Sequence, residues 1–197
     1  NIRQQAGQDW DQAIDWKLSE NIVARLLKPN GLLIMFCDLL LAVELISTFT
    51  NYFHFHGFHI WHKPGGAPTN EFHPIYNSEH ILVFRLSGVR VSALTFNPKS
   101  VLPRGKPYTK HNSSSGFPTR RQMKSEVNIN RTGDRWVKTV LTGPSKPNMC
   151  MNERTAHPTQ KPLNLLRDLI RCYSNQGDLI LDPFSGSGST LIAAYQE

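Results

Sequence analysis

Cysteine is scarce in this chain: Cys37, Cys150 and Cys172 are the three it has among 197 residues. An odd number so widely spaced excludes a disulfide framework and a cysteine-rich zinc site, and fits a reducing, cytoplasmic setting. Long apolar runs are lacking too. The greasiest stretch, GLLIMFCDLLLAVELI, is broken by Asp38 and Glu44, so no membrane span is expected. No segment reads as a signal peptide. His62 and His157 lack the local spacing of a metal pair, and no metal site is expected. Acids are the last shortage, and it is local. Residues 91–150 hold only Glu126 and Asp134 as acids, against eleven of the chain's 22 Lys and Arg. The net charge of +7 therefore comes from one region, which points to a polyanion contacted there.

What is present organises into an α/β pattern. Residues 11–27 read as a helix, with Ile14, Leu18, Ile22 and Leu26 recurring every fourth position and Val23 and Leu27 widening the stripe. The turn Pro29-Asn30-Gly31 stops it, and LLIMFC follows as a short apolar strand. A second helix is expected over 39–49, and strands over 57–62 (GFHIWH) and 79–85 (EHILVFR), with a Pro/Gly loop at 64–74 between them. Helix, strand, helix, strand is the rhythm of a doubly wound sheet. The rhythm stops near Gly88 and resumes after Ala156. Pro162 opens a helix whose stripe is Leu165, Leu166, Leu169, Ile170 and Tyr173. Residues 179–181 then complete a strand, and LDPFSGSGST leads into a further helix. Three segments result: 1–88, a basic insertion at 89–156, and 157–197.

Strand, glycine loop, helix is a ligand-binding arrangement, because Gly186 and Gly188 permit tight backbone geometry and the new helix presents free amides. A P-loop requires lysine after its last glycine, and here Ser189 follows Gly188. The dinucleotide pattern also fails, since Ile192 stands where a third glycine belongs. Asp182 at the strand's end suits a neutral or cationic ligand better than a bare polyphosphate.

Three further stretches, HPTQKP (157–162), LLKPNGLLIMFCD (26–38) and IWHKPGGAPTN (60–70) before SEHILVFR, join the loop in one order. Together these resemble the amino-methylating DNA methyltransferases, adenine-N6 or cytosine-N4, of the circularly permuted beta class. The resemblance implies a Rossmann-like S-adenosylmethionine-dependent methyltransferase sheet, permuted and incomplete here, with the basic insertion as target-recognition region. It places Asp182, Pro183, Phe184, Ser185, Gly186, Ser187 and Gly188 in the cofactor loop. Thr159, Gln160 and Lys161 become the companion motif beside the same pocket, and Asp38, ending its strand at the active-site face, is a further cofactor-binding candidate. Trp61, His62 and Lys63 resemble the segment lining the target-base side. S-adenosyl-L-methionine is the implied cofactor and double-stranded DNA the implied partner. A homodimer and a cognate restriction endonuclease are further partners the family admits. In the insertion, Arg104, Lys106, Lys110, Arg120, Arg121, Lys124, Arg131, Arg135 and Lys138 are candidates for phosphate contact, with Tyr108, Phe117 or Trp136 nearer the bases.

The family's catalytic Asp-Pro-Pro-Tyr or Ser-Pro-Pro-Tyr is in neither form here. The expectation is that it lies upstream of Asn1, that a ribose-binding acid follows Glu197, and that this chain alone is inactive. The expected reaction is direct methyl transfer to the exocyclic amine of a base rotated out of the duplex, catalysed mostly by positioning. Adenine is the favoured target, cytosine the alternative. A DNA- or partner-binding scaffold that has lost its chemistry is the competing class, and an RNA or protein methyltransferase a third.

Overall fold

The computed structural model describes residues 14–66, 68, 71–100, 105–111 and 127–197. Asp15 caps the first helix, α1 (Trp16–Leu26), its carboxylate accepting from the amides of Lys17 and Leu18. The strand β1 (Leu32–Cys37) coincides with the LLIMFC run. Asp38 then caps α2 (Leu39–Thr48) by accepting from the amide of Leu41 at 2.8 Å. Next come β2 (Phe53–His62) and β3 (Ser78–Leu86). Within the basic region lie β4 (Tyr108–His111), β5 (Val127–Asn130) and β6 (Val140–Thr142). The helices α3 (Leu163–Tyr173) and α4 (Ser189–Gln196) complete the order.

The main sheet runs β1-β3-β2-β6. β3 is antiparallel to both neighbours, and only β2 and β6 pair parallel. Doubly wound sheets are mostly parallel, and the antiparallel pairing of β3 with β2 is a local departure from that. The reason is the 64–74 loop, which carries no helix among its described residues: without a crossover, the chain returns from β2 as a hairpin, closed where the Lys63 amide donates to the Asn77 carbonyl.

Side chains alternate across this sheet, so β3 feeds two cores. Leu82 and Phe84 face α1 and α2 with Cys37, Leu45, Phe49 and Phe53. Ile81 faces α3 with Trp61, Leu141, Leu165 and Leu169. Helices on both faces make the three-layer α/β arrangement. α3 buries Leu165, Leu166 and Leu169 as its stripe predicts.

α1 buries only the Val23 and Leu27 edge of its predicted stripe. Leu18, Ile22 and Leu26 are exposed, while Trp16, Val23, Ala24 and Leu27 pack on the core. The rotation buries Glu20, whose carboxylate accepts from the amides of Asn51 and Tyr52, both at 2.9 Å. A charge-assisted pair of bonds to orphan amides outweighs one more leucine contact.

The basic region is tied to the body at both ends. Asn97 donates through its amide to the Cys172 carbonyl and through its side chain to Arg171 and Ser174. Its exit strand, β6, extends the main sheet beside β2. Between these anchors β4 and β5 form a separate antiparallel ribbon. Residues 179–181, expected as a strand, run without a strand partner among the described residues. Leu179 is 85% exposed and Leu181 65%. No helix among the described residues is long and apolar enough to cross a membrane.

Candidate functional site

The loop that follows residues 179–181 is shaped by local bonds. The Asp182 carboxylate accepts from the Phe184 amide at 3.0 Å, turning the chain at once. Gly186 has φ +47° and Gly188 φ +74°, left-handed conformations that glycine adopts without strain. Gly188 occupies the N-cap of α4, so the helix's first amides point into the loop. The hydroxyls of Ser187 and Ser189 bond to each other at 2.8 Å. Phe184 stands out from this turn, 68% exposed.

The companion motif lies against it. A Cβ added to Gly186 would come within 2.9 Å of the His157 ring, so the two segments touch at a place only glycine allows. His157 Nδ1 accepts in turn from the Thr159 amide at 3.3 Å. Gln160 is buried and spent on its own loop: its side-chain carbonyl accepts from the Thr155 amide, and its NH2 donates to the Glu153 carbonyl, each at 2.7 Å. Glu153 also accepts from the Leu163 amide, capping α3. Gln160 thus shapes the motif from within, leaving Thr159 and Lys161 half-buried at its surface.

Lys161 reaches across to the end of the sheet. Its ammonium lies 3.3 Å from a Glu79 oxygen, and Lys63 donates to the other oxygen at 2.6 Å. Burial raises the Glu79 carboxyl, but the Lys161 charge and the Lys63 hydrogen bond outweigh it and hold the group below its ordinary value. Lys63 also sits over the Trp61 ring at 4.9 Å, and Lys161 over Phe36 at 5.4 Å. Trp61 itself is only 2% exposed, and its indole N–H donates to the Gly143 carbonyl at 3.0 Å. Of the three residues expected on the base side, Trp61 is therefore in the core. His62 and Lys63 are half-buried at the strand's end.

Asp38 sits at the end of β1, where it caps α2. Cys37 and Cys172 are buried and their thiols pushed up to about 12 by burial, so neither is a nucleophile at neutral pH. Among the described residues no cluster of three or more His, Cys, Asp or Glu is placed to hold a metal.

In the basic region, Lys106, Arg131 and Lys138 are exposed, as is Trp136. Arg135 turns inward. Its guanidinium donates to the carbonyls of Gly133, Asp134 and Lys106 and stacks 4.6 Å from the Tyr108 ring, locking the base of the β4–β5 ribbon. Lys110 lies on β4. Arg104, Arg120, Arg121, Lys124 and Phe117 lie outside the described residues.

Three residues with no local sequence signal complete the site's frame: Glu79, Glu153 and His59. Buried His59 bridges β2, the insertion and α3. Its Nδ1 lies 2.9 Å from the Lys138 carbonyl, which can only accept, so Nδ1 carries the proton. Nε2 then accepts from the Tyr173 hydroxyl at 2.6 Å. Each contact spans a sequence separation that periodicity cannot reveal.

Sheet, helices and terminal loop together define a Rossmann-like methyltransferase fold. It is similar to the crystal structure of the M1.HpyAVI–SAM complex, with a TM-score of 0.57 at 23% identity over 93% of this chain and 73% of that one. A family model described as DNA methylase, the N6/N4 methyltransferase model, matches residues 5–197, and the chain belongs to that family. Curated relatives match over shorter stretches. The type II methyltransferase M2.MboI of Moraxella bovis is 65% identical over 37 residues, 19% of this chain and 14% of that protein. The DNA adenine methyltransferase YhdJ of Escherichia coli (strain K12) is 55% identical over 40 residues, 20% of this chain and 14% of that protein. Each match spans less than a fifth of the relative's own length.

Proposed function

We propose that the protein carrying this chain is an S-adenosylmethionine-dependent DNA methyltransferase acting on the exocyclic amine of adenine. The observation that supports this reading is the contact of His157 with Gly186, which sets HPTQKP against DPFSGSG. The loop's chemistry fits the cofactor. Free amides at the start of α4 suit its methionine carboxylate, exposed Phe184 offers an apolar face, and Asp182 adds negative charge for a cationic ligand. When bound, S-adenosylmethionine supplies an electrophilic methyl group on a sulfonium.

This chain's residues bind and orient. The 182–188 loop and the 157–161 motif would form one wall of the cofactor pocket, with the Lys63–Glu79–Lys161 cluster joined to the motif through Lys161. The segment that orients the amine is the Asp-Pro-Pro-Tyr type, which we place on a strand outside this sequence. Two features support a slot for it. The outer edge of β1 has no partner among the described residues, and Leu179 and Leu181 are exposed. Lys106, Arg131 and Lys138 would meet phosphates of double-stranded DNA, with Trp136 toward the bases. Adenine is favoured because one relative is named as an adenine methyltransferase, and a cognate restriction endonuclease is the functional partner that the type II names suggest.

Full-length protein, given tritium-labelled S-adenosylmethionine and duplex DNA of varied sequence, is expected to yield labelled N6-methyladenine on nucleoside digestion. Label in N4-methylcytosine would change the base. No label in any duplex would favour a DNA-binding scaffold, the reading suggested by the absence of the catalytic motif from this sequence.

A further inference from the structure

Glu79 stands between the two halves of the site. It lies on β3 directly across from Trp61, and its two oxygens face lysines from different segments. Lys63 follows the end of β2, on the target-base side, and Lys161 belongs to the motif packed on the cofactor loop. The side chains of all three are less than a third exposed. Both lysines are braced further by aromatic faces, Lys63 by Trp61 and Lys161 by Phe36 and Trp61. Without the carboxylate, two ammoniums would converge on one partly buried spot and repel each other apart.

We infer that Glu79 is a positioning residue for methyl transfer: one carboxylate clamps Lys63 and Lys161 and thereby fixes the spacing between the target-base side and the cofactor side. The inference rests on the methyltransferase reading above. Glu79 need touch neither ligand. Transfer to an exocyclic amine depends on near-attack geometry, so a clamp that slackens by a fraction of an ångström acts on kcat more than on binding.

The test uses the full-length protein, with Glu79→Gln, which keeps the reach but loses the charge, and Glu79→Asp, which keeps the charge but is one methylene shorter. Labelled transfer by the wild type is measured first, and its absence across varied duplexes overturns the underlying reading itself. With the wild type active, Glu79→Gln is expected to lose about tenfold to a hundredfold in kcat. Both KM values should stay within about threefold, and the melting temperature should hold. Glu79→Asp should fall between, about threefold to tenfold down in kcat. The inference is overturned by a wild-type kcat in Glu79→Gln, or by losses that only follow a drop in melting temperature. Should Glu79→Gln not fold, Glu79→Asp decides alone: unchanged kcat overturns the clamp, and reduced kcat with unchanged melting supports it.

Discussion

Residues 81–84 (ILVF) and 179–181 (LIL) are equally apolar, yet they meet opposite fates. The first lies at the centre of β3 with every side chain buried, paired to β1 on one edge and β2 on the other. The second ends at the glycine loop with two leucines in solvent and no strand beside it among the described residues. Strand identity here depends on neighbours more than on composition. A β-branched or aromatic segment gains little until cross-strand partners and a covered face exist.

The sharpest way to break this comparison is at the buried member. Phe84→Ala should destabilise by about 3–5 kcal/mol in urea unfolding, because it opens a cavity among Phe49, Phe53 and Phe55. Leu181→Ala in this chain should stay within about 0.5 kcal/mol. In a protein that carries the proposed strand, the same change should rise to about 2 kcal/mol once that strand covers the leucine; a value left near zero would remove the slot proposed between β1 and residues 179–181.

A smaller effect is expected where the loop meets its companion. Gly186→Ala puts a methyl group against the His157 ring in a left-handed backbone, costing about 1–2 kcal/mol. Cofactor affinity, measured by calorimetry on the full-length protein, should fall by about tenfold, which is about 1.4 kcal/mol. An unchanged affinity would mean that the contact organises the fold but not the pocket.

The smallest effect sets the insertion's anchor against the core. Burial lowers the pKa of His59, while its bonds to the backbone at Lys138 and Thr139 act the other way. The unfolded chain therefore takes up this proton first. Above about pH 6.5 both states are neutral and His59 adds no pH dependence. Below it, stability should fall by up to about 1.4 kcal/mol per pH unit until the folded pKa is reached. His59→Asn should flatten the slope in that window, as read from urea midpoints between pH 7 and pH 5. An identical slope in the variant would assign acid sensitivity elsewhere.

The sequence made the elements legible where period and punctuation agreed. β1 matches its apolar run residue for residue, and β3 extends one residue beyond the expected 79–85 at each end. α1 shows what pattern cannot carry. Leucine and isoleucine at every fourth position mark a helix, but which face turns inward was decided by Glu20 finding two amides more than thirty residues away. At the candidate site, the glycine loop and HPTQKP stand out in the sequence because their patterns are local, and the fold sets them in contact. Glu79 does not, since its meaning comes from two lysines that only the fold brings together. Trp61 was readable as part of a motif, while its burial against Gly143 and Leu141 was not. Arg135 likewise looked like a phosphate contact by charge alone, and its guanidinium is occupied by backbone carbonyls.

The tryptophans divide the molecule optically. Trp61 is sealed in the core beneath the lysine clamp, whereas Trp136 stands 63% exposed where the basic segment returns to the sheet. One indole samples an apolar, immobile setting and the other samples water, so their emission separates in wavelength and in access to a quencher. With Trp10 and Trp16 replaced by phenylalanine, this chain would carry two tryptophans, one reporting the packing of the scaffold and one reporting what approaches the insertion.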